Sequence, residues 1–182
     1  MSARLLQQIL KKVYSKPSWL VRQRYGASIA FEFGQPNLNV WKKILQPTKK
    51  VGRKYPRRIV IVHGDWHLTT FCCDWEIRQS NRRICDSNSQ AEKVDQGCAI
   101  LDGQILTKVF VNQGNLVTDS YFDLGGHLQI KPYKKEDESS SMWDLFCPNK
   151  RVFSLRSDGK YSYRSGKTPG DKLRWAPFTF DL

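Results

Sequence analysis

Residues 152–163, VFSLRSDGKYSY, contain a clear hairpin pattern, because the turn SDGK at residues 157–160 separates two short strand-like runs. Asp-Gly between such runs is a strong local signal for a β-hairpin, since a type I′ turn needs positive φ at both central residues. Similar turns occur at residues 101–104 (LDGQ), 112–115 (NQGN) and 125–126 (GG). The sequence therefore predicts a series of antiparallel hairpins, one of which joins a strand at residues 98–101 to a strand that begins at residue 105.

Other runs of β-branched and aromatic residues extend this pattern toward the N-terminus. Strands are predicted at residues 19–24, 28–33, 37–45 and 59–63, and one long strand at residues 66–77. About ten short strands with a single recognisable helix are typical of all-β domains. The predicted fold class is therefore mainly β, as an antiparallel β-sandwich or a partly closed barrel with an N-terminal amphipathic helix.

The N-terminal helix is predicted over residues 2–16, with Ser2 as its N-cap and Pro17 as its stop. Its apolar residues recur at helical spacing, and lysines follow on the other side. Such a basic amphipathic helix suits docking on its own domain, a membrane surface, a partner protein or an organelle transit peptide. The predicted organisation is a basic helix at residues 1–17 followed by one β-rich domain at residues 18–182.

The net charge of +13 belongs to the first third of the chain. Residues 1–58 contain fourteen basic residues and one acidic residue, Glu32, whereas residues 59–182 contain sixteen of each. Clustered like charges repel one another and favour a partner of opposite charge. Nucleic acid or an acidic protein is therefore the expected partner, although a solvated basic face that only keeps the protein soluble would have the same composition.

A second basic feature lies at residues 46–58, where Pro47, Gly52 and Pro56 favour an exposed loop. Aromatic residues, among them Trp19 and Trp41, are interleaved with the cations, as in proteins that hold single-stranded nucleic acid. Trp19 and Trp41 occupy strand-like positions, however, where burial in the core is the more frequent explanation. The predicted binding residues are Lys11, Lys12, Lys16, Arg22, Arg24, Lys42, Lys43, Lys49, Lys50, Arg53, Lys54, Arg57 and Arg58.

The five cysteines do not form a metal-binding pattern, because no Cys-x-x-Cys pair occurs. A disulfide between Cys85 and Cys98 stays open as an alternative, but unpaired thiols in a reducing compartment are favoured. No glycine-rich phosphate-binding motif is present, and no apolar run approaches the length of a membrane-spanning helix or marks a secretory signal. We therefore expect a cytoplasmic protein without a bound metal or cofactor.

The densest group of reactive side chains lies at residues 62–74 and includes His63, His67, Cys72 and Cys73. Along one extended strand His67 and Cys73 would lie about 20 Å apart, too far for a nucleophile and its base. Only contacts between strands would complete a catalytic group. A Cys/His-dependent hydrolase is therefore an alternative and not the first prediction.

Several strings together resemble a widespread group of small bacterial proteins that has no assigned activity. The likeness covers residues 18–163 and implies a shared β-rich fold, without implying any catalytic residue. The basic helix and the basic residues 49–58 lie outside the shared pattern. The strings are YGASIAFEFGQPNL (25–38), VHGDWHL (62–68), CDWEI (73–77), LDGQIL (101–106), YFDLGGHL (121–128) and LRSDGKYSY (155–163).

These features favour a non-enzymatic cytosolic binding module that holds an acidic partner on its basic N-terminal surface. Nucleic acid within a larger assembly is the preferred partner. A protein-binding module of the immunity or antitoxin type is the alternative, and it would require an acidic toxin because the chain is basic.

Overall fold

The computed structural model describes residues 2–45, 55–133 and 140–180. In these residues it contains two α-helices, fourteen strands and a short 3-10 helix at Gly170–Lys172. In chain order the helices and strands are α1 (Ser2–Leu10), β1 (Ser18–Gln23), β2 (Ile29–Phe33), β3 (Asn37–Leu45), β4 (Tyr55–His63), β5 (Trp66–Thr70), β6 (Cys73–Gln79), β7 (Arg82–Asp86), α2 (Ala91–Leu101), β8 (Leu106–Val111), β9 (Thr118–Phe122), β10 (Gly126–Pro132), β11 (Ser141–Phe146), β12 (Arg151–Arg156), β13 (Lys160–Ser165) and β14 (Ala176–Pro177).

The strands form two antiparallel sheets and a separate hairpin. The larger sheet has seven strands in the order β1-β2-β5-β11-β12-β13-β14, and the smaller has five in the order β7-β6-β10-β9-β8. Strands β3 and β4 pair only with each other. The prediction of a mainly β fold with antiparallel sheets and an N-terminal helix is confirmed, and the described strands do not close into a barrel.

One hydrophobic core lies between the two sheets. Phe31 of the larger sheet stacks on Phe122 of the smaller one, with ring centroids 6.2 Å apart. The indole nitrogen of Trp143 crosses the same space and donates a 3.1 Å hydrogen bond to the Thr118 hydroxyl. Because side chains alternate along a strand, Phe31 and Phe33 face this core while Glu32, between them in β2, faces the other side of the sheet. That alternation places a carboxylate on the outer face, where it matters below.

Helix α1 is shorter than predicted, because it ends at Leu10 and a turn takes residues 11–15. Leu6, Ile9 and Leu10 are buried in the shared core. The Gln7 amide donates a 2.9 Å hydrogen bond to the carbonyl of Val109 in β8. The helix therefore packs on its own domain and covers the edge of the smaller sheet, which would otherwise leave backbone groups open to pairing.

The prediction of a strand at residues 98–101 is wrong, because these residues end helix α2. Val94, Cys98 and Leu101 are buried and lie at helical spacing, so α2 packs against the core along one face. The Asp102 carboxylate, just beyond the helix, accepts a 3.2 Å hydrogen bond from the Val21 amide. The turn at residues 101–104 therefore follows a helix and does not join two strands.

The predicted long strand at residues 66–77 is also wrong. Strand β5 ends at Thr70 in the larger sheet and β6 begins at Cys73 in the smaller one. At the break the Cys73 amide donates a 2.7 Å hydrogen bond to the carbonyl of Phe71, two residues earlier. This tight turn lets the chain cross from one sheet to the other, and both strands bury a tryptophan, Trp66 and Trp75, in the core.

The loop predicted at residues 46–58 is partly a strand. Residues 55–58 begin β4, while residues 46–54 lie outside the described part of the chain. No helix in the described residues is both long enough and apolar enough to cross a membrane.

Candidate functional site

The segment that holds strands β3 and β4 and the residues between them, 37–63, carries most of the net positive charge of the protein. Its strands pair without a break from Asn37 opposite His63 to Leu45 opposite Tyr55. Residues 37–63 contain no acidic residue and eight basic ones, which are Lys42, Lys43, Lys49, Lys50, Arg53, Lys54, Arg57 and Arg58. Lys42 lies opposite Arg58 and Lys43 opposite Arg57. Like charges directly opposite each other destabilise a strand pair.

The hairpin also exposes large apolar side chains. Leu38 is 66% exposed and Val40 55%, and they lie opposite Val62 and Val60 on one face. On the other face Trp41 is 59% exposed. The sequence favoured a buried core position for Trp41 over a stacking role, and that expectation is wrong, because the ring is in contact with solvent.

The base of the hairpin is tied to the larger sheet by Asp65. Its carboxylate accepts a 2.9 Å hydrogen bond from the Gln35 amide and a 3.1 Å bond from the Asn37 side chain. These two bonds hold the pKa of Asp65 below its usual value. Gly34 has a φ of +82°, and a Cβ there would lie 2.6 Å from the Asp65 carboxylate, so this turn requires glycine. The hairpin is thus fixed where its two strands leave the sheet.

A cleft of about 750 Å³ opens between the hairpin and the outer face of the larger sheet. Its polar and aromatic lining comes from several elements that are distant in the sequence. These residues are Arg24, Glu32, Asn37, Asn39, Trp41, His63, Asp65, His67, Phe146 and Lys150.

A histidine–carboxylate pair forms the floor of the cleft. Glu32 in β2 lies opposite His67 in β5, and its Oε1 accepts a 2.8 Å hydrogen bond from Nδ1 of His67. The Oε2 atom accepts a 2.9 Å bond from the amide of Gly64. Glu32 is 2% exposed, whereas the His67 side chain is 26% exposed. The Glu32 carboxylate is therefore buried, with a hydrogen bond to each oxygen, and the His67 ring lies between it and the cleft.

His63 lines the same cleft at the end of β4. Its Nδ1 lies 2.9 Å from the carbonyl oxygen of Gly64. Because a carbonyl only accepts hydrogen bonds, this nitrogen carries the proton. In the neutral ring the lone pair therefore lies on Nε2, as it does in His67.

The end of α1 borders a neighbouring cavity of about 560 Å³, which Lys11 and Lys12 line. Cys147 and Pro148 line both this cavity and the cleft. The basic helix end and the base of the basic hairpin therefore lie on adjacent parts of the surface, on either side of residues 147–148.

The predicted binding residues do not all form one exposed surface. Lys11, Lys12, Arg24, Lys42, Arg57 and Arg58 are exposed, and Lys16 is half-buried. Arg22 is half-buried as well; its Nε is buried without a hydrogen-bond partner among the described residues, and burial and Arg24 lower its pKa. Lys43 lies in β3 opposite Arg57. The remaining four, Lys49, Lys50, Arg53 and Lys54, lie outside the described residues.

The cysteines of the predicted hydrolase do not meet His67. Cys72 and Cys73 line a separate cleft together with Tyr133, and Cys73 is buried, which raises its pKa to about 12. Cys147 does line the His67 cleft, but burial raises its pKa to about 11. All five cysteines are unpaired, so Cys85 and Cys98 form no disulfide. Within the described ranges no three Cys, His, Asp or Glu side chains gather as metal ligands would.

The sequence prediction missed Glu32, although a signal was present. Glu32 is the only acidic residue among the first 58, and it interrupts the apolar strand IAFEF. A lone carboxylate in a buried strand needs a partner, because burying an unpaired charge is costly.

Comparison of the chain with protein-family models, with curated proteins and with solved structures found no match.

Proposed function

We propose that the protein binds single-stranded nucleic acid along the β3–β4 hairpin and the cleft at its base, as part of a larger assembly. The observation that carries this proposal is the hairpin itself, which has eight cations and no acidic residue between residues 37 and 63. A chain of phosphates neutralises such a surface and releases its own bound counterions, which makes association favourable.

The exposed Trp41 favours nucleic acid over an acidic protein. An indole that lies open beside cations is a stacking platform, and stacking of a base on an aromatic ring contributes about 1–3 kcal/mol. Arg24 and Lys150 line the cleft that Trp41 borders, so they supply positive charge for a phosphate beside a stacked base. The combination fits an unpaired strand, whose bases are free to stack on protein side chains.

The proposal predicts a steep dependence of binding on salt. If about five phosphates are contacted, affinity for a labelled single-stranded RNA falls about a hundredfold between about 50 and about 200 mM salt. Fluorescence anisotropy with matched single-stranded RNA and DNA and with duplex DNA measures this. Weaker binding to the duplex is expected, because its bases cannot stack on Trp41. Absence of binding to every nucleic acid, or affinity independent of salt, would contradict the proposal.

A matched pair of triple variants locates the binding surface. Replacing Lys42, Arg57 and Arg58 with Gln removes three hairpin cations, so the slope of log affinity against log salt should fall by about two. The control replaces Lys93, Lys108 and Lys167, which are equally exposed but lie outside the hairpin. Both variants should keep the wild-type melting temperature, because exposed cations contribute little to stability. If the two triple variants lost RNA affinity equally, the hairpin would not be part of the binding surface.

A further inference from the structure

The two histidines of the cleft are held in the same way. Nδ1 of His67 donates to Glu32 and Nδ1 of His63 donates to the Gly64 carbonyl. Neither Nε2 has a hydrogen-bond partner among the described residues. Each ring is thus anchored through one nitrogen, which leaves the other to exchange a proton with a bound molecule.

The Glu32 carboxylate is built to position a base. With one oxygen on His67 and the other on the Gly64 amide, it is fixed at both ends and enclosed by the sheet. A buried carboxylate in this place selects the tautomer of the imidazole, orients the ring and stabilises the imidazolium that forms when the ring takes a proton. Simple charge pairing on a surface would not require this enclosure.

The cleft offers no effective nucleophile of its own. No serine, threonine or tyrosine is among the described residues that line it, and its one thiol, Cys147, is protonated at neutral pH because burial raises its pKa to about 11. A reaction catalysed by the two imidazoles therefore takes its nucleophile from the substrate or from water. Single-stranded RNA carries one beside every phosphate, its 2′-hydroxyl.

We propose that the cleft cleaves single-stranded RNA without a metal ion, with His67 as the general base, His63 as the general acid and Glu32 as the positioning residue for His67. This inference rests on the proposed function, since the hairpin must first bind the RNA. It differs from the sequence-based expectation of a non-enzymatic module, which stays a prediction.

The reaction is a transesterification that balances within the substrate and the two rings. Nε2 of His67 takes the proton of the 2′-hydroxyl, and the 2′-oxygen forms a bond to the adjacent phosphorus. The bond from phosphorus to the 5′-oxygen breaks, and that oxygen takes a proton from the imidazolium of His63. The products are a 2′,3′-cyclic phosphate and a 5′-hydroxyl, with no oxidation or reduction. Exchange with water then restores both rings.

Four other side chains of the cleft have roles that match this reaction. Arg24 and Lys150 place positive charge where the phosphorane develops negative charge. Trp41 stacks on a base next to the scissile phosphate. The side-chain amide of Asn39, which also lines the cleft, can read a base edge.

The test uses an end-labelled RNA oligonucleotide with EDTA present, and the same sequence in 2′-deoxy form. The wild-type protein should produce fragments that end in 2′,3′-cyclic phosphate from the RNA and none from the DNA. His67→Ala should slow cleavage at least about a hundredfold, the usual contribution of a general base, with unchanged RNA affinity. His127→Ala is the matched control, purified in parallel, and should cleave within about twofold of wild type.

The outcomes separate the two proposals. Binding without cleavage by the wild-type protein, or equal cleavage by His67→Ala and His127→Ala, overturns the inference and leaves nucleic-acid binding in place. Absence of both binding and cleavage overturns both.

The positioning role of Glu32 has its own readout. Cleavage should follow a bell-shaped pH profile, because it needs one neutral and one protonated ring. In Glu32→Gln cleavage should slow while RNA affinity stays the same, and Glu32→Asp, which keeps a carboxylate, should recover part of the lost rate. Equal loss of rate in the two variants would assign Glu32 a purely structural role. The other titratable and charged groups around His67 are Arg24, His63, Asp65, Asp144, Cys147 and Lys150.

Discussion

Two histidine–carboxylate pairs cross neighbouring strands in this protein, and they differ in what surrounds each ring. His67 is hydrogen-bonded to Glu32 in the seven-stranded sheet, and His127 to Asp119 in the five-stranded sheet. Both bonds are 2.8 Å long. Glu32 is enclosed, and its second oxygen bonds a backbone amide. The Asp119 oxygen that bonds His127 also accepts a 2.9 Å hydrogen bond from the Gln129 side chain.

The rings differ in the opposite sense. His127 lies flat against Tyr121, with ring centroids 4.6 Å apart, whereas His67 touches Phe146 at an angle and opens on the cleft. His127 uses Nε2 for its carboxylate, whereas His67 uses Nδ1 and keeps Nε2 for the cleft. The His127 side chain is 17% exposed and that of His67 is 26% exposed, whereas the Asp119 side chain is 15% exposed and that of Glu32 only 3%. We therefore interpret the His127 pair as a contact that stabilises its sheet, and the His67 pair, whose ring lines the cleft, as a candidate proton-transfer group.

The assignment of His67 as the reactive group of the cleft would be wrong if a thiol were the reactive group. Burial raises the pKa of Cys73 and Cys98 to about 12 and that of Cys147 to about 11, while Cys72 is exposed. Iodoacetamide should therefore label Cys72 at least about a hundredfold faster than the others, because the thiolate is the reacting form. Peptide mapping over time measures the rates. If Cys147 were labelled rapidly and RNA cleavage were lost in parallel, that thiol, and not His67, would be the reactive group.

The two carboxylates should differ in their contribution to stability. Glu32→Ala leaves the buried Gly64 amide without an acceptor and should lower the free energy of unfolding by about 2 kcal/mol. Asp119→Ala removes bonds to two half-buried side chains and should cost less than about 1 kcal/mol. Urea unfolding of both variants beside the wild type gives the difference. Equal losses in the free energy of unfolding would mean that the enclosure of Glu32 contributes nothing to stability.

Asp144 tests the effect of enclosing a carboxylate when one of its two oxygens has no hydrogen-bond partner among the described residues. Burial raises the pKa of this carboxyl, against hydrogen bonding to Ser154 and the charge of Arg164, and its Oδ1 is buried without a hydrogen-bond partner among the described residues. Because its folded pKa lies above the unfolded value, the folded state gains stability as pH falls through the folded pKa. At neutral pH the ionised carboxylate is destabilising.

Replacing Asp144 with Asn removes that charge and keeps the shape. The variant should be more stable than wild type by about 1 kcal/mol at pH 7, and the difference should shrink as the pH falls toward about 4, the usual pKa of an aspartate. Urea unfolding at several pH values measures it. A variant that is less stable at pH 7, with an unchanged pH dependence, would contradict the assignment.

Local patterns in the sequence predicted much of the fold. The turns at residues 112–115 and 157–160 join consecutive strands as expected, because turn chemistry is decided by neighbouring residues. Helix α2 was missed although Val94, Cys98 and Leu101 have helical spacing, because the turn after it, LDGQ, is also typical of hairpins. The break between β5 and β6 could not be predicted, since it depends on which sheet each strand joins.

The candidate site was only half predictable. Charge and composition predicted the hairpin cations, because charged residues can be counted in a sequence without knowing which strands pair. The pairing of Glu32 with His67 spans 35 residues and follows from the register of β2 against β5. Register of non-consecutive strands depends on the packing of the whole sheet. Sequence reasoning therefore treated His67 as a partner for nearby cysteines.

Nuclear magnetic resonance of the histidines distinguishes the cleft from the rest of the surface, because the three histidines of the chain are His63, His67 and His127. The titrant is a 2′-O-methyl oligonucleotide, which keeps the phosphates and bases but has no free 2′-hydroxyl and so is not cleaved. We expect the Hε1 signals of His63 and His67 to shift with saturation and the signal of His127 to stay in place. Equal shifts of all three signals, or a shift of His127 alone, would contradict the assignment of the cleft as the nucleic-acid site.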